Sequence, residues 1–467
     1  MRSDLVSNQT KDAVTHLMAE FAGALTWDAL PGRIRTEAVR AWTNWVACAL
    51  GGSATSAMDA AVRGMLAMES GGAVRVLGRT QRFCVADAAL LGALASTSQT
   101  YDDTHLATTT HPTGPIASAL LSVADKLSRE GQPVSGVRML GALIAGMELE
   151  CRMSCAILAN GASRGWFITG LSGGIGAAVA VGMVLGLTRE QLVDAIGLAA
   201  THAGGMRATH GSMAMTYVPG MAARAGVASA YFAQAGFTCS AISIDGKNGL
   251  LQVLGTGSDP ALITQGLGER FEMLDNTYKP YPCGIVIHPA LDASLHLVKA
   301  HGLTHGDIAH IDMRVNPNTL ALTWRKFPVN VFEAQVSLFH WVAAAFVSGT
   351  IGIAQGEPDC VWDARVRGLQ EHAFAVADDA VADNQAFVSV TTHDGKTYSH
   401  FVENAIGSMT NPLSDAMIDA KFLGLAEPLI GAHAGAKSLA ACRGVAASGD
   451  VAEILDLGSG AGAGGGI

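Results

Sequence analysis

The sequence predicts a mainly α fold with an α+β insertion, in which an all-helical domain carries a smaller α+β lid domain. Apolar residues recur at helical spacing through the first half, alternate with polar ones after Tyr278, and return to helical spacing after Pro412. We therefore expect the helical domain over about residues 1–274 and 408–457, the lid over about 275–407, and a flexible glycine-rich tail over 458–467.

Start and stop signals define the helices of the first half. Pro31 opens a helix that ends at Gly51-Gly52, and Thr188 with Gln191 forms a capping box before a helix over 190–200. Between them, the apolar spacing predicts helices over residues 85–97, 115–130, 137–156 and 174–185. The long uncharged stretch 165–188 contains Gly173-Gly174, which favours a buried helix over a membrane span.

The region after Tyr278 shows both the helical spacing of apolar residues and the two-residue alternation of strands. Residues 308–315 alternate as a half-buried strand does, and the strands over 387–391 and 396–401 flank a hairpin turn at His393-Asp394-Gly395. Helical spacing predicts further helices over residues 289–301, 335–349, 413–425 and 434–446.

Composition limits the class of protein. Of the 467 residues, 49% are hydrophobic and only 15% are charged, which excludes a disordered chain and allows a large buried core. The formal net charge is −10 and no run of basic residues stands out, so neither nucleic acid nor a membrane is an expected partner. The 8 cysteines are scattered, which is typical of free thiols in a reducing, cytoplasmic setting.

The first candidate site is a polar stretch between two apolar helices that holds Asp102, Asp103, Thr104 and His111. Histidine titrates near neutrality and moves protons, and an acid beside it can fix its tautomer. The alternative is an exposed connector in which Thr113 caps the following helix.

The second candidate lies at the predicted domain boundary, where ligand clefts often form. Two prolines separate Lys279, Tyr281 and Cys283 and would fix the directions of their side chains, and His288 follows. The alternative is an interdomain hinge with a solvated lysine. A nucleophilic Cys283 is the weaker interpretation, because buried thiols are common.

The third candidate is the glycine-rich segment 204–213, whose Arg207 can bind a carboxylate bidentately and whose His210 lies close by in sequence. It follows no strand and lacks a dinucleotide-binding pattern, and no His or Cys pair has metal-ligand spacing, so we expect neither a metal nor an organic cofactor. Glu148 and Glu150, near Arg152, predict ordinary ion pairs within a helix.

The order of these motifs along nearly the whole chain resembles that of the MmgE/PrpD family. The residues that carry the resemblance are Asp102-Asp103-Thr104 with residues 111–114, Gly165-Trp166, 176–178, 220–226, 279–283, and residues 411–414 with Lys421-Phe422. The family includes 2-methylcitrate dehydratase, cis-aconitate decarboxylase and iminodisuccinate epimerase. The resemblance implies a helical domain with an α+β lid, commonly a homodimer, an active site in the cleft between the two domains, and no required metal or organic cofactor.

Position by position, the resemblance puts the family's loop acid and threonine near Asp102, Asp103 and Thr104, its histidines on His111 and His288, and its lid-edge lysine on Lys279. Members similar to cis-aconitate decarboxylase carry His, Lys and His at the three positions where this chain has uncharged residues. Those three residues are Phe167, Met215 and Gly284. The replacements favour a less highly charged substrate than cis-aconitate.

The resulting hypothesis is a cofactor-independent lyase or isomerase that transfers a proton next to a carboxylate of a small di- or tricarboxylate-type acid. Dehydration is preferred, with decarboxylation and epimerisation left open. His111 is the general base or acid, oriented by Asp102 or Asp103, and Lys279 stabilises the developing negative charge or delivers a proton. The expected substrate contacts are Thr104, Arg207, His210, Tyr281 and His288. The alternative is a family member that has lost its chemistry and serves as a small-acid binding or scaffold protein.

Overall fold

The computed structural model describes residues 13–159, 165–254 and 257–458. The predicted tail therefore lies outside the described residues, apart from Gly458. Within them, the first half of the chain forms nine long helices. These are α1 (Val14–Ala24), α2 (Gly32–Gly52), α3 (Ser56–Ala67), α4 (Val85–Thr97), α5 (Thr113–Arg129), α6 (Gly136–Leu158), α7 (Ile168–Leu185), α8 (Arg189–Ala200) and α9 (Ala214–Gln234).

The helix boundaries of the first half follow the sequence signals closely, except that α7 begins at Ile168 and not at the predicted residue 174. α2 begins directly after Pro31 and ends at Gly52, and the predicted capping box of α8 is present, with Thr188 and Gln191 each bonding the other's backbone. Thr113, however, does not cap α5: its hydroxyl donates a hydrogen bond to the Asp103 carboxylate, so the predicted cap is wrong.

The central helix of this region is α7, which packs against α5, α6, α8 and α9. In the part of the chain that the structure describes, it is the one helix with the length and hydropathy of a membrane span, and 83% of it is buried by the rest of the fold. A helix that is apolar all round suits such a core position. The axes of α6 and α7 approach closely, because a Cβ on Gly176 would lie only 2.7 Å from the carbonyl oxygen of Gly146.

Two short antiparallel pairs accompany the helices. β1 (Val74–Arg75) pairs with β2 (Arg82–Phe83), and β3 (Asp103–His105) pairs with β4 (Asn276–Tyr278). The sequence predicted a loop at β3, which is wrong. A three-residue strand is too short for alternation to show, and its partner lies far along the chain.

The second region contains a four-stranded sheet with the order β6-β5-β7-β8, in which β5 and β6 are parallel and the other pairs are antiparallel. The short helices α10 (Leu250–Val253) and α11 (Ala261–Thr264) come before this region and add Leu251 and Ile263 to the core of the helical region. The elements of the second region are α12 (His288–His301), β5 (Ile308–Val315), α13 (Pro317–Thr323), α14 (Val331–Ala334), α15 (Leu338–Ser348), α16 (Pro358–Val361), α17 (Ala364–Glu371), β6 (Ala373–Ala377), β7 (Ala386–Thr392) and β8 (Thr397–Val402). The strand β5 and the β7–β8 hairpin lie where the sequence predicts them. The edge strand β6 was not predicted, because its run of small apolar residues alternates too weakly.

The chain ends in α18 (Asp415–Ile430), α19 (Ala432–Arg443) and α20 (Ile454–Leu457). α18 and α19 return to the helical region and pack against α2. The predicted fold class is confirmed: helices dominate, and the small mixed sheet is confined to the second region. The domain boundaries given above stay a prediction.

Candidate active site

The β3–β4 pair joins the first two candidate segments. Asp103 pairs with Tyr278, so the preceding Asp102 and the following Lys279 extend the same end of the pair. The Lys279 ammonium donates to Asp102 Oδ1 at 2.7 Å, and both side chains are buried. Burial alone would raise the pKa of Asp102, but His111 and Lys279 hold it below its ordinary value. Asp102 is therefore a carboxylate that faces two cationic or proton-carrying groups.

His111 is held in one orientation. Its Nδ1 lies 2.8 Å from the carbonyl oxygen of Asp103 and 3.3 Å from Asp102 Oδ2, and its backbone N–H donates to the Thr169 hydroxyl at 3.0 Å. A carbonyl oxygen can only accept, so Nδ1 must carry the proton. In the neutral ring, Nε2 is then the nitrogen that accepts a proton, as a general base requires.

The carboxylate of Asp103 is held by hydrogen bonds within the fold. Its carboxylate accepts hydrogen bonds from the Thr113 hydroxyl and, at 2.7 Å, from the Asn276 amide. Burial raises its pKa. Asp103 thus orients His111 through its backbone carbonyl and not through its carboxylate.

Lys279 and His111 line an inner cavity of about 110 Å³, together with Thr104, Arg207 and His210. An adjacent outer cavity of about 410 Å³ shares Arg207 and several other lining residues. The structure therefore brings five of the predicted site residues to one cavity, and Asp102 reaches it through its contacts with two of them.

Arg207 lies at the junction of the two cavities. Its guanidinium contacts the Thr109 hydroxyl at 3.4 Å, and no carboxylate among the described residues pairs with it. Burial lowers its pKa. The backbone before it lies against α7 because Gly170 has no side chain: a Cβ there would meet the Gly204 carbonyl oxygen at 2.0 Å.

Two predicted contacts lie elsewhere. The Tyr281 hydroxyl donates to Asp292 at 2.6 Å, and Asp292 also accepts from the Ile406 backbone. Tyr281 lines neither cavity. His288 lines the outer cavity; burial lowers its pKa to about 3, so it is neutral. Burial likewise lowers the pKa of His210 to about 4.

Sequence reasoning missed the role of Lys421. This buried lysine of α18 donates to the carbonyl oxygens of Tyr101, at 2.6 Å, and Lys279, at 3.1 Å. It thereby joins the segments that carry Asp102 and Lys279. Burial lowers its pKa to about 8. The only signal for it in the sequence is its place in the motif that carries the resemblance.

One group of side chains could hold a metal ion. Among the described residues, ligand atoms of His105, Cys155 and Glu272 lie within 4.8 Å of one another, and His105 Nε2 is buried without a hydrogen-bond partner. The guanidinium of Arg270 pairs with the second carboxylate oxygen of Glu272, which competes with a cation. None of the three side chains lines the inner cavity.

The predicted ion pairs within α6 are half correct. Glu148 pairs with Arg152 in the core, but Glu150 pairs with no cation of the described chain. Burial and the nearby Asp103 raise the pKa of Glu150 well above its ordinary value.

Known proteins resemble this chain over most of its length. It is 24% identical to a cis-aconitate decarboxylase of Aspergillus terreus over 450 residues, covering 91% of this chain and 92% of that protein. It is 26% identical to a cis-aconitate decarboxylase-like protein of Aspergillus oryzae over 459 residues, covering 92% and 94% of the two chains. The human cis-aconitate decarboxylase is 27% identical over 347 residues, covering 72% of this chain and 71% of that protein.

The family models agree with the motifs. The MmgE/PrpD N-terminal domain matches residues 16–263, and the MmgE/PrpD C-terminal domain matches residues 281–443. These relatives are named as decarboxylases, that is, lyases, so the prediction of an enzyme is confirmed. Two family models that together span most of the sequence settle the classification: the chain belongs to the MmgE/PrpD family.

Proposed function

We propose that this protein transfers a proton at a carbon next to a carboxylate of a small acid, without a cofactor. The observation that carries the proposal is the convergence of His111 and Lys279 on one cavity, where both contact Asp102. The family and the names of the relatives, which act on cis-aconitate, support a small carboxylic acid as the substrate class.

A C–H bond next to a carboxylate is weakly acidic, so its cleavage needs a base together with a group that stabilises the resulting oxyanion. In this site, His111 Nε2 takes the proton, and the ammonium of Lys279 faces the developing negative charge. Asp102 keeps both groups in place. The guanidinium of Arg207 binds a carboxylate of the substrate through two parallel hydrogen bonds.

The outcome depends on which bond breaks and where a proton is taken up. In a dehydration, the C–H electron pair forms the new double bond while the β-hydroxyl leaves with a proton from Lys279. In a decarboxylation, the C–C bond to a carboxylate breaks, CO₂ leaves, and the electron pair that remains on carbon takes up a proton from Lys279 or protonated His111. Return of the abstracted proton to the opposite face would give an epimerase. Dehydration is our first choice among the three.

The second candidate function is binding without chemistry. This function would be favoured if Phe167 and Met215, two large apolar residues at the site, sealed the cleft. Both residues line the inner cavity instead of filling it, and a volume of about 110 Å³ remains. This observation favours catalysis.

Proton NMR in D₂O tests the proposal. A panel of hydroxy and unsaturated mono-, di- and tricarboxylic acids is incubated with the protein, and deuterium exchange next to the carboxylate is followed. We expect exchange with at least one acid, and its loss in His111→Ala but not in His393→Ala, which changes an exposed turn. Binding of an acid without exchange in the whole panel would support the binding protein instead.

We also propose that the protein is a cytoplasmic homodimer. Large apolar side chains on and just after α9, among them Tyr217, Phe232 and Phe237, are exposed. Exposed apolar surface of this kind is common at subunit interfaces. Light scattering should give twice the chain mass of 48.0 kDa, and a mass near 48.0 kDa at micromolar concentration would contradict the dimer.

A further inference from the structure

We infer that the substrate is a monocarboxylic acid with an apolar substituent, and not a di- or tricarboxylic acid. The inference rests on the proposed function, since it concerns the same cavity. It replaces the di- or tricarboxylate class that the sequence suggested with a monocarboxylic one. Three independent features of the site carry it: the charge balance of the inner cavity, the charges of the outer cavity, and an apolar wall.

The inner cavity offers a single uncompensated positive charge among its described lining residues. Arg207 is that charge, since no carboxylate pairs with it. The ammonium of Lys279 is matched by the carboxylate of Asp102 at 2.7 Å. The buried His210 adds no charge, because burial lowers its pKa to about 4. One carboxylate neutralises this cavity, and a second would be buried without a partner, which is unfavourable.

Among the described residues that line the outer cavity, Arg207 is the one cation, and the inner cavity shares it. The described lining of the outer cavity also holds the neutral His288 and one carboxylate, that of Asp383. A second carboxylate that reached out of the inner cavity would therefore approach a like charge. The described lining of the outer cavity therefore does not favour a substrate with more than one carboxylate.

An apolar wall forms part of the lining of the inner cavity. Phe167, Met215 and Val218 form a buried hydrophobic cluster, of which Phe167 and Met215 line the cavity. The Phe167 ring stands edge-on to His210, with ring centres 5.1 Å apart, and to His111, with ring centres 6.0 Å apart. The wall thus lies directly beside the proposed base. Ile168, Leu322 and Val336 add further apolar lining.

Together, these features match an acid whose carboxylate binds Arg207 and whose apolar substituent packs on Phe167 and Met215. Apolar contact with such a wall favours binding because it removes hydrocarbon surface from water. A carboxylate in the same place would lose its hydration and gain no hydrogen-bond donor from these two side chains.

Two matched pairs of acids test the inference on the wild-type protein. 4-Methylpentanoate and succinate differ only in an isopropyl group against a carboxylate of similar shape, and 3-hydroxy-4-methylpentanoate and malate differ in the same way. Binding is measured by titration calorimetry. We expect the isopropyl acid of each pair to bind about tenfold or more tightly than the diacid. Equal or tighter binding of the diacids, or no binding of any of the four acids, would overturn the inference.

Two variants assign the result to the proposed groups. Arg207→Gln should weaken binding of the isopropyl acids by about tenfold or more, whereas Arg33→Gln, which changes an exposed arginine of α2, should not. Met215→Lys should tighten succinate binding relative to 4-methylpentanoate, because it adds a cation to the wall. Phe167→Lys tests the same change at a second position if Met215→Lys folds poorly. An unchanged preference in a folded variant would contradict the role of the wall.

The same samples separate this inference from the proposed function. Deuterium exchange next to the carboxylate of 3-hydroxy-4-methylpentanoate but not of malate supports both. Exchange with malate alone keeps the proposed proton transfer and rejects the monocarboxylate. Binding of the isopropyl acids without exchange in any acid keeps the binding preference and rejects proton transfer.

Discussion

Asp102 and Lys279 lie at the same end of the β3–β4 pair, with the carboxylate and the ammonium 2.7 Å apart and both side chains buried. Asp102 belongs to the helical region, and Lys279 belongs to the segment that leads into the region with the four-stranded sheet. The ion pair therefore joins the two halves of the cavity. Its position also explains why His111 and Lys279, which are far apart in sequence, face the same space.

Breaking this ion pair should destabilise the fold as well as the site. Lys279→Met leaves the Asp102 carboxylate buried without its cation, which typically costs ~3–5 kcal/mol. Asp102→Asn with Lys279→Met should cost less than the sum of the two single changes, because neither charge is then left alone. Urea unfolding of the wild type, the two single variants and the double variant measures this. Strictly additive free energies would show that the two side chains do not interact.

His111 and Lys279 should act in the same chemical step. His111→Ala and Lys279→Ala should each lower the rate by about 10²–10⁴-fold, since general acid–base contributions are of that size. The double variant should lose much less than the product of the two effects. Steady-state rates on an acid identified by the deuterium exchange check this, with circular dichroism to confirm folding. Turnover like that of the wild type in either single variant would place the catalytic base or the oxyanion partner elsewhere.

The sequence predicted the fold class and most of the candidate residues at the cavity. It did not predict the contacts that fix their positions. His111 stood out as a titratable side chain between two apolar helices, and Lys279 stood out because it lies beside two prolines at the predicted domain boundary. The pairing of β3 with β4 could not be predicted, since strands of three residues have no measurable period and the contact is long-range. Tyr281 and Asp103 show the same limit. Both looked available for chemistry, but Asp292 binds the Tyr281 hydroxyl, and Thr113 and Asn276 bind the Asp103 carboxylate.

Lys421 should act as a positioning residue for the site. Its ammonium donates to the carbonyl oxygen of Tyr101, the residue directly before Asp102, and to the carbonyl oxygen of Lys279. Asp102 and Lys279 are the two members of the ion pair. Lys421→Met removes both hydrogen bonds and lets the two segments move. We expect kcat to fall by about tenfold or more, because even a small misplacement of catalytic groups is costly, while KM changes little.

The control for this prediction is Lys437→Met, which changes an exposed lysine of α19. Both variants are assayed well below their unfolding temperatures, so that lost stability does not appear as lost activity. Parallel changes in kcat and KM, or equal effects of the two substitutions, would contradict a positioning role for Lys421.

Two glutamates of α6 should respond in opposite ways to loss of their charge. Glu148 accepts hydrogen bonds from Arg152, at 2.5 Å, and from the Met273 backbone, at 3.0 Å. Glu148→Gln leaves the buried Arg152 without its counter-ion and should destabilise the fold by ~3–5 kcal/mol at pH 7. Glu150, two positions along, is equally buried, and its two carboxylate oxygens have no hydrogen-bond partner among the described residues.

Glu150→Gln should stabilise the protein above neutral pH. Burial and Asp103 raise the pKa of Glu150 in the folded state well above the ordinary value that it has in the unfolded chain. Between these two values the folded protein binds more protons than the unfolded chain, so this carboxyl lowers the free energy of unfolding as the pH rises. The amide does not titrate, and the advantage of Glu150→Gln over the wild type should therefore grow as the pH rises toward the raised value. Urea midpoints from pH 5 to pH 9 for the wild type, Glu148→Gln and Glu150→Gln measure this. Parallel pH curves for the wild type and Glu150→Gln would mean that Glu150 ionises in the folded protein as it does in water.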